Sequence, residues 1–142
     1  MTLYVDTSAL VKLYVDEEGA EAVRSAVERT DVVVTSAIAY VEARAAFARR
    51  RHEGGLSASS HRRTTRALDH DWPRYLTIEV ATSIIREAAR LTDTHRLRAY
   101  DAVHLASAVT AHRRLVGPFV FASWDASLEK AAKREGLEPL PR

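Results

Sequence analysis

Leu3-Tyr4-Val5-Asp6-Thr7-Ser8-Ala9-Leu10-Val11 joins a short apolar run, an acid, two hydroxyl residues and a second apolar run. Leu3–Asp6 reads as a short buried strand, because a brief apolar run bounded by polar residues suits a strand covered on both faces. Thr7 and Ser8 are helix-start residues, and Ala9–Val15 continues as a short helix. Asp6 then closes the strand, where open α/β sheets place their functional crevice. An unpaired buried carboxylate is costly, so an acid in such a place usually holds a metal, a partner or a function.

Further strands and helices follow along the chain. Glu18–Arg29 carries the helical stripe Ala22, Val23, Ala26 and Val27. Val32–Val34 is a β-branched strand. Ser36 is expected to cap a long helix reaching Arg51, which Gly54-Gly55 ends. Ser57 starts a helix to about His70, and Pro73 closes that region. Tyr75–Ile78 is a weak strand, followed by helices over Glu79–Thr94 and Arg98–His112. Gly117-Pro118 turns the chain into the apolar strand Phe119–Ala122. Asp125–Arg134 is the last helix, with Gly136 just past its end. Leu137–Leu140 suits only an edge strand, because of Pro139 and Pro141. Short apolar strands separated by helices predict an α/β fold, a parallel sheet covered on both faces. No repeat or linker divides the chain, so one domain over residues 1–142 is expected.

Composition narrows the chemistry. The chain has no cysteine, so disulfides and thiolate metal sites are excluded. The N-terminal apolar run is broken by Asp6 and Lys12, unlike a signal peptide. No stretch approaches the roughly 20 apolar residues of a membrane span, so a cytoplasmic protein is the expectation. The net charge of +2 hides an uneven distribution. Residues 1–43 carry eight acidic and three basic side chains, whereas residues 44–66 carry seven arginines and one acid. An acidic part beside an arginine cluster suits a protein that binds metal and handles a polyanion; a solvated helical hairpin is the plainer reading.

Three more acids stand out beside Asp6. Glu42 shares a helix face with Ile38, Ala39, Ala45 and Ala46. Asp101 interrupts an apolar helix, where Asp is a poor residue unless it lies in the first turn. Asp125 closes Phe119-Val120-Phe121-Ala122-Ser123-Trp124. Helix capping alone would explain Asp6 or Asp125. Together the four fall near one end of the sheet or on inward helix faces. Two carboxylates about 4 Å apart repel by roughly 4 kcal/mol at an effective dielectric near 20, so the set needs protons or cations. All-oxygen ligation suits Mg²⁺ or Mn²⁺.

Tyr4-Val5-Asp6-Thr7-Ser8-Ala9-Leu10 resembles the opening of a PIN-domain nuclease. Leu97-Arg98-Ala99-Tyr100-Asp101-Ala102-Val103-His104-Leu105-Ala106 resembles the third acidic motif of that family, and Glu42 lies at the usual distance. Ser123-Trp124-Asp125 resembles the last motif, with Ser123 where threonine is commoner. The size and layout are similar to the VapC toxins of toxin–antitoxin pairs. The resemblance implies a PIN-like three-layer sandwich and a Mg²⁺-dependent endoribonuclease, with Mn²⁺ as the alternative ion. It also implies a homodimer neutralised by a cognate VapB-like antitoxin, with tRNA or rRNA as the substrate. Asp6, Glu42, Asp101 and Asp125 carry over as the acidic quartet, with Ser8 and Ser123 supporting them. Arg44, Arg49, Arg50, Arg51, Arg62, Arg63 and Arg66 are then candidates for holding the RNA backbone.

His104, three residues after Asp101, reads better as a core histidine or a supporting donor than as a ligand. His52, His61, His70, His95 and His112 are expected at the surface, and Trp124 is expected to pack. Leu10, Val11, Leu13 and the helices around 36–70 serve either as an antitoxin groove or as core. A receiver domain would want paired acids in one early loop and a late lysine. A haloacid-dehalogenase-like phosphatase would want Asp-x-Asp, where Ser8 stands. A catalytically inactive PIN-like RNA-binding module is the remaining alternative.

Overall fold

The computed structural model describes all 142 residues. Five strands form one sheet: β1 (Thr2–Val5), β2 (Val32–Ser36), β3 (Leu76–Ile78), β4 (Phe119–Ala122) and β5 (Glu138–Pro139). Their order is β3-β2-β1-β4-β5, and every neighbouring pair is parallel. The register sets Leu3 against Val33 on one side and Val120 on the other. β1 is therefore central and flanked on both sides, as its uninterrupted apolar run requires.

Seven helices cover the two faces: α1 (Thr7–Lys12), α2 (Ala20–Glu28), α3 (Ala39–His52), α4 (Ala58–Asp71), α5 (Thr82–His95), α6 (Ala99–Arg114) and α7 (Ala126–Arg134). Side-chain alternation along β1 sends Leu3 and Val5 to one face and Tyr4 to the other. Leu3 and Val5 join Leu10, Val23, Phe47 and Leu68 of α1–α4. Tyr4 joins Leu91, Leu105 and Leu128 of α5–α7, and its ring stacks on Phe121 at 5.5 Å. This is the expected three-layer sandwich. No helix is long and apolar enough to cross a membrane.

Several boundaries differ from the sequence reading. Ser36 does not cap α3. It is the last, fully buried residue of β2, and its hydroxyl accepts only a long bond from the Ile38 amide, at 3.3 Å. α3 instead begins at Ala39 without a side-chain cap. α1 starts at Thr7, with Asp6 in the cap position accepting from the Ala9 amide, and ends at Lys12 rather than Val15. α5 starts at Thr82, three residues later than expected.

Gly19 shows how tightly the edge of one layer is set. Its φ is +88°, and a Cβ there would lie 2.7 Å from the Trp124 ring. Gly54 has a similar φ of +83° but open space around it. Gly54→Ala should cost about 1 kcal/mol, the left-handed conformation alone. Gly19→Ala should cost about 2–4 kcal/mol, since overpacking against the indole adds to it. Equilibrium urea unfolding of the two variants measures the gap; equal losses would show that the ring gives way freely.

Candidate active site

All four acids stand at helix starts. Asp6 and Asp125 are the N-caps of α1 and α7, accepting from the Ala9 and Leu128 amides at 2.9 and 3.0 Å. Glu42 and Asp101 lie in the first turns of α3 and α6. The exposed amides of a helix start favour negative charge. In a parallel sheet the helix that follows a strand starts at the strand's carboxyl end, so α1, α3 and α7 bring their acids to one edge. The capping role expected for Asp6 and Asp125 is present, and it is compatible with their facing the other acids.

Asp6 is only 3% exposed. Burial pushes its carboxyl up from the ordinary range; the charge of His104 and bonds from Ser123, Ser8 and the Ala9 amide offset part of that. The Ser123 hydroxyl donates to Oδ2 at 2.5 Å and the Ser8 hydroxyl to Oδ1 at 2.6 Å. Each serine also accepts a backbone amide: Trp124 on Ser8 at 2.9 Å and Asp125 on Ser123 at 3.0 Å. The start of α1 and the segment after β4 are thereby tied together through one carboxylate.

Glu42 belongs to a second chain of bonds. The Thr7 hydroxyl donates to its Oε1 at 2.6 Å, and His104 Nε2 lies 2.8 Å from the same oxygen. A carboxylate only accepts, so Nε2 carries a proton and donates, while Nδ1 lies 2.8 Å from the Tyr4 hydroxyl. Burial opposes ionisation of Glu42, but the bonds from His104 and Thr7 outweigh it and hold the carboxyl below its ordinary range. His104 is thus both of the things its sequence setting suggested, a core residue and a supporting donor. Tyr4 and Thr7 were not singled out from the sequence. A tyrosine in a buried strand and a threonine at a helix start are ordinary there, and only the fold brings them to Glu42.

Asp101 and Asp125 share Arg98. Its guanidinium bonds Oδ2 of each, at 3.1 Å in both cases, although the arginine itself is 81% exposed. Glu42 and Asp101 line one cavity of about 250 Å³, together with Arg98, Ala99 and Tyr100. The four acids are therefore connected, through Ser123, Arg98 and this cavity. No three His, Asp or Glu side chains converge tightly enough to form a ready-made ion cage. Glu42 Oε2 and Asp101 Oδ1 accept no hydrogen bond from the protein. The donor set is all oxygen, the chemistry that a hard divalent cation prefers, and Arg98 stands between two of its members.

The arginine cluster is divided. Arg49 and Arg50 line a cleft of about 810 Å³ with Thr7, Ser8 and Glu42. Arg44 is turned to Tyr40, bonding its hydroxyl at 3.0 Å. Arg63 borders a different hollow with Leu13 and Tyr14, and Arg51, Arg62 and Arg66 are exposed on α3 and α4. The helical pattern places all seven on neighbouring helices, but only two open towards the acids. Leu10 and Val11 are core. Trp124 packs, as expected, over Gly19. His95 departs from its expected surface position: its side chain is 4% exposed, and Nε2 lies 2.7 Å from Glu135.

The model of the PIN domain matches residues 3–133. The chain belongs to the PIN-domain family. It is 33% identical over 141 residues to Ribonuclease VapC45 of Mycobacterium tuberculosis strain CDC 1551, covering 98% of this chain and 94% of that one. Ribonuclease VapC49 of strain H37Rv matches to the same extent. Among solved structures, FitAcB from Neisseria gonorrhoeae superposes with a TM-score of 0.68 at 18% identity, covering 98% of this chain and 96% of that one. VapBC-1 from nontypeable Haemophilus influenzae gives 0.63 at 13% identity with the same coverage. These likenesses establish that the three-layer PIN fold extends over nearly the whole chain.

The raised carboxyl of Asp6 carries a stability signature. Its folded-state pKa lies above the unfolded value, so the ionised form opposes folding. That opposition is absent below the unfolded pKa and complete above the folded one. Asp6→Asn, which keeps the shape and removes the charge, should therefore melt higher than the parent in EDTA at pH 8. The gap should close as pH falls through the folded-state value. Thermal melts of both proteins across pH measure this; an Asn variant less stable at pH 8 would show that the bonds to Asp6 outweigh its burial.

Proposed function

We propose that this chain is the endoribonuclease toxin of a toxin–antitoxin pair, hydrolysing phosphodiester bonds of tRNA or rRNA with Mg²⁺ or Mn²⁺ and so inhibiting translation. The observation that carries the reading is the joining of four helix-start carboxylates at one sheet edge, in a chain of the PIN-domain family. The relatives named Ribonuclease VapC support the reaction, and the neighbour titled a toxin–antitoxin complex from Klebsiella pneumoniae supports the partner. A VapB-like antitoxin and a second copy of the chain complete the proposed assembly.

In this reading Asp6, Glu42 and Asp101 hold the cation, and Asp125 completes or orients the set. When bound, the divalent ion supplies charge against the phosphate oxygens and acidifies water. The chain's own residues supply the position. Ser8 and Ser123 fix both oxygens of Asp6, while Thr7 and His104 fix one oxygen of Glu42 and leave the other open. Arg49 and Arg50 border the route by which a polyanion reaches the acids. One observation favours the second reading, an RNA-binding module without catalysis: Arg98 already neutralises Asp101 and Asp125.

Purified, antitoxin-free protein should cleave RNA in Mg²⁺ or Mn²⁺ and stop in EDTA. Asp6→Asn and Asp101→Asn should each lower the rate by at least about 100-fold, more than loss of a supporting residue usually costs. Ser123→Ala should lower it about tenfold. Cleavage unchanged in both acid variants removes the proposed centre. RNA binding without cleavage in any divalent ion selects the module.

A further inference from the structure

Lys12 is the only lysine or arginine among the buried residues of the chain. Its ammonium donates to Glu17 Oε1 at 2.9 Å and lies 5.0 Å from the centre of the Trp124 ring. The other oxygen of Glu17 pairs with Arg50. One carboxylate is thus clasped between a cation of α1 and a cation of α3. All three residues line the 810 Å³ cleft that also reaches Thr7, Ser8 and Glu42. Tyr100, 60% exposed, borders this cleft and the smaller cavity beside Asp101.

A covered ammonium cannot be left without an anion, so Lys12 needs a partner in every state of the protein. Its present partner is replaceable. Glu17 keeps 21% of its side chain exposed on the cleft wall, and its second pair, with the 36% exposed Arg50, contributes little to holding it there. The anion that suits a point charge and a planar fork together is a phosphate. We propose that the cleft is the seat of the RNA strand, and that Glu17 is its placeholder: a carboxylate occupying the position a backbone phosphate takes between Lys12 and Arg50. Tyr100 is the platform on which a base of the same strand stacks, next to the acids. This rests on the ribonuclease reading for the identity of the polyanion. It adds a phosphate position, a displaceable internal competitor and a stacking residue, none of which belongs to the acidic quartet.

The experiment places each variant on an Asp101→Asn background, so that RNA is bound without being consumed. Binding of a fluorescein-labelled single-stranded RNA of about 12 nucleotides is followed by anisotropy in Mg²⁺ buffer at several salt concentrations. Glu17→Gln should bind about 3- to 10-fold tighter, because it adds one net positive charge to the cleft. Its free form should melt lower and gain more on adding RNA, since a phosphate restores the partner of Lys12. Arg50→Ala should bind about tenfold more weakly and lower the salt slope by about 0.7. Tyr100→Ala should lose about tenfold, and Tyr100→Phe should match the parent. Should Glu17→Gln fail to fold, the Arg50 and Tyr100 variants decide. Parental affinity in Glu17→Gln, Arg50→Ala and Tyr100→Ala overturns the proposal. If the wild-type protein cleaves RNA while those three bind alike, the strand seat fails and the ribonuclease reading stands. If RNA is bound with the expected order of affinities while the wild type cleaves none, the ribonuclease reading fails and the seat stands.

Discussion

A carboxylate withdrawn from water has to be held on every side, and the site is arranged around that requirement at Asp6. Its two oxygens take three donors, two from the first turn of α1 and one from the segment after β4. The serines that supply two of these donors each receive an amide from the loop after β4. β1 and β4 are therefore joined twice, through their ladder and through the polar cluster just beyond it. The backbone takes part as well, since the Asp6 amide donates to the Ala122 carbonyl at 3.2 Å. Removing either serine hydroxyl would leave an ionised oxygen short of a donor in a place water does not reach, which is far more costly than losing an exposed bond.

Glu42 solves the same problem differently. It is half-buried, and its support comes from the opposite layer: His104 of α6 reaches it, and Tyr4 of the central strand holds the imidazole from behind. The histidine thereby links the core to the site. Because Tyr4 also stacks on Phe121, its hydroxyl is fixed by apolar packing. Position in the site is inherited from the core, a rigidity that residues on a loop alone would not have.

How much of this was legible in the sequence depended on whether the signal was local. β1 and β4 stand out because an apolar run ending in an acid is a local pattern. Asp101 stands out because Asp is rare among apolar helical residues, and the helix start at Ala99 explains why it is tolerated. The absence of a Ser36 cap on α3 was less visible, because a serine ahead of a helix reads as a cap and only the sheet decides where a strand ends. Thr7, Tyr4 and Arg98 are ordinary in their own segments. Their partners lie 35, 100 and 27 residues away, at separations no helical or strand period reveals. The arginine cluster shows the converse. Seven like charges on two adjacent helices look like one patch, yet a helix points its side chains all round, and only Arg49 and Arg50 share a cleft with the acids.

Arg98 then settles how a site of four acids persists without collapsing or unfolding. Four ionised carboxylates at one edge repel, and the protein answers with hydrogen bonds for Asp6 and Glu42 and a guanidinium for Asp101 and Asp125. The two answers differ in permanence. The bonds to Asp6 are buried and costly to break. Arg98 is 81% exposed, one of its two pairs is a helical i, i+3 contact, and neither is shielded from water. Contacts of that kind contribute little, because water screens them. A divalent ion held by Asp101, as proposed, would exchange with a weakly held side chain, and the buried half of the site would stay as it is. The same logic governs Lys12 and Glu17 across the cleft, where a covered charge keeps a replaceable partner. In both places the fold satisfies its charges internally at low cost and leaves the exchangeable contact on the side that faces solvent.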